Sequence, residues 1–137
     1  MGLKYSIHLL KCVDQPCPLG AVFAPREIPT VFRFMHHPAT DANDFLPPAI
    51  FDGVKARERC GRFALSFFET LDGARRRYAA LSERVDAVAR YGGYIGEMAI
   101  KESDGLASVP SGASRHLDLH PFDGVIFAGR VTAYHAA

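Results

Sequence analysis

Three ionisable residues alternate with leucine in Arg115-His116-Leu117-Asp118-Leu119-His120. Read as a β-strand, whose side chains alternate between faces, the stretch puts His116, Asp118 and His120 on one side and Leu117 and Leu119 on the other. Two imidazoles and a carboxylate backed by core can bind a metal, move a proton or hold a polar ligand. A tight metal site needs a further ligand from elsewhere, such as His36 or His37, so no stoichiometric metal is expected. Other polar residues interrupt apolar runs: Arg33 between Phe32 and Phe34, Ser66 between Leu65 and Phe67, and Glu97 within Ile95 to Ile100. A guanidinium there calls for a carboxylate or a phosphate beside it, and a buried hydroxyl calls for a hydrogen-bond partner.

Several signatures are absent from the sequence. It holds no Gly-x-x-x-x-Gly-Lys-Ser/Thr loop, no Gly-x-Gly-x-x-Gly, no His-Glu-x-x-His, no nucleophile elbow and no Cys-x-x-Cys. Mainstream nucleotide hydrolases, dehydrogenases and zinc proteases are thereby disfavoured. The three cysteines, at 12, 17 and 60, are an odd set, and Cys12 and Cys17 lack zinc-knuckle spacing. A zinc site on Cys12, Cys17 and a histidine would need a fourth ligand that spacing does not nominate. Ordinary reduced thiols and a cytoplasmic location are the expectation.

The elements that must position these residues come from a chain of 137 residues, enough for one domain with a real core. Apolar residues make up 48% and charged residues 23%, which argues against disorder. No apolar run approaches the length of a bilayer span, and the first residues read as a strand rather than a signal peptide. Net charge is +1, so neither nucleic acid nor a membrane is indicated as a partner. The charge is uneven, however. Lys55 to Arg90 holds nine Lys and Arg against five Asp and Glu, a basic zone that can face a phosphate-bearing ligand or simply solvent.

Alternation and apolar runs predict strands over 3–10, 30–35, 62–68, 94–100, 115–120 and 124–134. Residues 11–29, 39–48 and 102–114 read as loops, and 49–59 as a short helix. Leu71, Ala74, Tyr78, Leu81, Val85 and Val88 recur at intervals of three and four, the stripe of an amphipathic helix over 71–89 that covers a sheet face. Thr70 caps its start and Gly92-Gly93 stops it. Six strands with one main helix, not in regular alternation, predict a single α+β domain with a mostly antiparallel sheet.

Arg33 on an early strand, then Leu65-Ser66-Phe67-Phe68-Glu69-Thr70 running into a helix, then the strand from Tyr94 to Ile100, resembles the layout of ADP-ribosyltransferases. The resemblance implies that Arg33 contacts the phosphates of NAD and that Ser66 braces the nicotinamide site. The family's late glutamate has no counterpart after Glu102, so Asp118 or a histidine such as His116 would take its place in stabilising the ribosyl cation. The chain is also similar, in Val31-Phe32-Arg33, Asp44-Phe45-Leu46-Pro47 and Leu65-Ser66-Phe67-Phe68, to short bacterial proteins of unassigned function. Three readings follow. One is an NAD-type cleft, active or degenerate, lined by Arg33, Ser66, His116 and Asp118. The second is a non-catalytic protein-binding or regulatory protein. The third is a metal-binding protein using His116, Asp118 and His120.

Overall fold

The runs rich in Val, Ile, Leu and Phe pair into one antiparallel sheet, as their β-branched and aromatic content favours. In a computed structural model, which describes residues 2–18, 22–36, 42–53 and 59–137, the strands are β1 (Ile28–Met35), β2 (Leu65–Phe68), β3 (Tyr94–Ile100), β4 (Gly105–Ala107), β5 (His116–Pro121) and β6 (Ala133–Ala136). Their order across the sheet is β4-β5-β2-β1-β3-β6. Among the described residues four α-helices accompany them: α1 (Ser6–Leu9), α2 (Pro48–Phe51), α3 (Leu71–Ser82) and α4 (Ala87–Tyr91). The protein is a single α+β domain.

Alternation along the strands sorts side chains into two layers. Val31, Met35, Leu65, Phe67, Met98, Leu117 and Leu119 form the main core, with Phe45 and Phe127 laid over it. The opposite face carries Phe32, Phe68 and Ile95, which bury against Ala74 and Leu71 of α3. A third cluster, made of Leu9, Cys12, Ala49, Cys60 and Phe63, joins α1 and α2 to the turn at Cys60–Phe63. The ladders are uneven. β1 meets β3 at six positions but meets β2 only at Phe32↔Phe68.

Several elements differ from the sequence expectation. Residues 3–10 do not form a strand. Leu3 makes one bridge to Phe122, after which the chain leaves the sheet and turns into α1, burying Leu9 while Ile7 and Leu10 face solvent. The strand expected over 124–134 is confined to β6, because Gly124 and Gly129 adopt positive φ, which breaks an extended run. The loop expected over 102–114 contains a 3-10 turn and β4, and the strand expected over 62–68 begins only at Leu65. Of the helix expected over 49–59, Pro48–Phe51 is helical and 54–58 lie outside the described residues. The long helix over 71–89 is two helices, since Asp86 leaves helical geometry and accepts a hydrogen bond from Ala89 N to cap α4. Val85 and Val88 are consequently exposed and Leu81 half-buried.

The cysteines also depart from expectation. Cys17 and Cys60 form a disulfide, so the expectation of three reduced thiols does not hold. Spacing along the chain could not reveal this pair, whose members are 43 residues apart and meet only because α1 and its following loop pack on the Cys60–Phe63 turn. No helix among the described residues is long and apolar enough to cross a membrane.

Candidate functional site

Where β1 and β2 part, a cleft of about 300 Å³ opens. Arg33, Ser66 and His116 all line it. Cross-strand neighbours share a face: Phe68 stands opposite both Phe32 and His116, and Ser66 opposite Asp118. Thr70, whose Oγ1 accepts a hydrogen bond from Gly73 N at 3.0 Å, turns the end of β2 into α3. That turn brings Arg77 and Leu81 over the cleft, while α4 adds Arg90 and Tyr91.

Arg33 alternates onto the main core face, where its guanidinium lies against the rings of Phe45 and Phe67. It donates from Nε to the Asp44 carbonyl at 2.8 Å, from Nη1 to the Ser66 carbonyl at 2.9 Å and from Nη2 to the Leu46 carbonyl at 3.3 Å. Burial lowers its pKa to about 10, partly opposed by the nearby Asp44 charge, so it is a cation at neutral pH. Asp44 is buried and accepts from His36 N and lies 3.2 Å from His36 Nδ1 through Oδ1. Its Oδ2 has no hydrogen-bond partner among the described residues. His37, the other histidine considered as a donor, lies outside the described residues.

Aromatic rings make the apolar wall. Phe34 packs against Phe68 at 5.1 Å between centroids and against Tyr91 at 5.9 Å, and Phe51 stacks on His36. The cations are not equivalent. Arg90 clamps Asp52 with both terminal nitrogens, and Arg62 also approaches Asp52. Arg77 is exposed on α3, and no hydrogen bond or ion pair ties it to another described residue. The basic zone from Lys55 to Arg90 thus supplies Arg77 and Arg90 to the cleft. Sequence reasoning singled out neither. Their only signal was the local excess of positive charge.

The alternating triad divides. His116 Nε2 lies 3.4 Å from Asp118 Oδ1, and Phe68 packs edge-on to the His116 ring. Desolvation raises the Asp118 pKa, and the His116 charge partly offsets it. Asp118 is not among the residues lining the cleft. His120 is buried at the far end of β5, its Nε2 3.7 Å from Cys60 Sγ and its ring against Phe23. Glu97 is outside the cleft as well, paired with His135 where β3 meets β6.

No protein-family model, curated protein or solved structure matches the chain. The chemistry must therefore be read from the cleft itself. A buried cation, an arginine untied among the described residues and an aromatic wall can together hold a ligand with phosphates and a flat ring.

Proposed function

We propose that the protein binds a nucleotide-class ligand, with NAD as its type, in the cleft of Arg33, Ser66 and His116. What carries the reading is that these residues, on three different strands, open into one cavity beside Arg77 and a wall of Phe34, Phe68 and Tyr91. Arg77 supplies a charge-assisted contact to a phosphate, and the buried Arg33 adds a fixed positive potential beneath it.

Binding is better supported than group transfer. ADP-ribosyl transfer requires a carboxylate beside the developing ribosyl cation. Asp52 is held by Arg90, Asp44 by His36, and Asp118 lies against His116 rather than in the cleft. His116, with Asp118 behind it, is the group available for proton transfer. On this reading the protein is an ADP-ribosyltransferase-like nucleotide sensor or a degenerate enzyme. A cytoplasmic location goes with that reading, and the Cys17–Cys60 bond weighs against it, because disulfides persist in oxidising compartments.

The test is thermal stabilisation by millimolar NAD, ADP-ribose and AMP. A ligand at 100 times its dissociation constant stabilises the fold by about 2.7 kcal/mol, so binding shows as a raised melting temperature. Arg77→Ala, exposed and untied, should keep the unliganded melting temperature and weaken binding about tenfold, the loss of one charge-assisted hydrogen bond. No shift with any of the three ligands would overturn the reading. Release of nicotinamide from NAD would identify a transferase or hydrolase in place of a binder.

A further inference from the structure

Away from the cleft, the loop after α1 carries Cys12, Asp14 and Cys17, whose ligand atoms all lie within 4.8 Å of one another. Cys60 meets this group from the other side through its bond to Cys17, and its backbone N–H donates to Asp14 Oδ1 at 2.8 Å. His120 reaches Cys60 with Nε2 at 3.7 Å. Three sulfurs and one imidazole nitrogen from three separate segments are therefore joined by successive short links, Cys12 to Cys17 within 4.8 Å, Cys17 to Cys60 by the bond and Cys60 to His120 at 3.7 Å. Tetrahedral zinc with Zn–S bonds of about 2.3 Å sets its sulfurs about 3.8 Å apart, and the Cys12 and Cys17 sulfurs already lie within 4.8 Å of each other.

His120 supplies an independent observation. It is only 1% exposed, and its Nδ1 has no hydrogen-bond partner among the described residues. One ring nitrogen on a sulfur and the other on nothing is a poor environment for a buried imidazole. A metal at Nε2 would replace this weak sulfur contact with a strong bond and leave the ring proton on Nδ1.

We propose that Cys12, Cys17, Cys60 and His120 form a redox-gated zinc site. In the oxidised state the Cys17–Cys60 bond ties up two of the four donors. A dithiol reductant opens it by exchange: one reductant thiolate attacks a cysteine sulfur, the second displaces the mixed disulfide, and two electrons and two protons pass to Cys17 and Cys60 as the reductant becomes a cyclic disulfide. Zn2+ then binds three thiolates and Nε2 of His120, and three thiol protons leave to solvent. Asp14, through the Cys60 amide, is a positioning residue that orients the loop. The site would cross-link α1 and its loop to the Cys60–Phe63 turn in either state, by a covalent bond when oxidised and by metal when reduced.

The experiment uses untagged full-length protein, reduced with a dithiol, freed of it anaerobically, and titrated with Co2+ and then Zn2+. We expect one equivalent of each, thiolate-to-cobalt charge-transfer absorption, and uptake by the reduced protein alone. Cys12→Ser and His120→Asn should each weaken zinc binding by more than the about 10- to 100-fold that an outer partner contributes, with melts of the oxidised variants showing that both fold. Uptake by the oxidised protein, no uptake by the reduced one, a reduced protein that unfolds without refolding on zinc, or wild-type affinity in either variant would each overturn the proposal.

Discussion

Arg33 illustrates how one charge can serve the backbone. Its three hydrogen bonds go to carbonyls of Asp44, Leu46 and Ser66, so the guanidinium ties a loop and β2 to β1. Arg33→Gln keeps two N–H donors but loses the fork, leaving at least one of the three carbonyls without a partner; at about 1 to 3 kcal/mol for each unsatisfied buried group, a loss of that size is expected. Urea denaturation would measure this, and an unchanged midpoint would mean that the loop carbonyls find water instead. The sequence made Arg33 conspicuous, because a guanidinium between two phenylalanines needs a partner. It could not name the partners, since every residue has a carbonyl and only the folded path of 44–46 brings these within reach. His120 was legible only in part for the same reason: alternation put it on the face of His116 and Asp118, while its neighbour Cys60 comes from another element.

At the level of elements, α3 was legible because period, cap and dipole signals agree over Leu71–Ser82. Its lower end was not, since Val85 and Val88 continue the apolar spacing although Asp86 has already begun a new helix. Gly73 offers a sharper test. Glycine within a helix ordinarily gives way to alanine with a gain of about 1 kcal/mol. Here a Cβ on Gly73 would sit 2.2 Å from the Ser114 carbonyl oxygen, so Gly73→Ala should destabilise the protein, and a raised melting temperature would contradict this packing of α3 on the 111–115 turn. The 124–132 segment, expected as strand, is held instead by Arg130, which donates to both Asp104 carboxylate oxygens at 2.7 Å and to the Ala99 carbonyl at 3.0 Å. Because Asp104 is buried, Arg130→Ala strands its carboxylate and should cost about 3 to 5 kcal/mol, readable in the denaturation midpoint. No period in the sequence marks such a tie, which links residues 26 apart through side chains alone.

Across the whole molecule, the α+β class and the strand runs near 30–35, 65–68, 94–100 and 116–120 followed from alternation and apolar content, whereas both chain ends were misread. The ends depend on what they dock against, and that is a long-range matter. The Cys17–Cys60 bond closes a separation of 43 residues, and in the chain-entropy account such a loop contributes about 4 kcal/mol. Cys60→Ser should therefore lower stability by about 2 to 4 kcal/mol under oxidising conditions, compared by denaturation with wild type in the same buffer. The uneven sheet has a kinetic consequence. Separating β1 from β3 means breaking six pairs, whereas separating β1 from β2 means breaking one pair and the guanidinium bonds. Partial openings of a native protein follow such weak lines. The β1–β2 junction is thus where the sheet should breathe, so deuterium should enter the amide of Ser66, whose backbone faces β1, before those of 95–98, and a molecule lodged in the cleft would slow that entry.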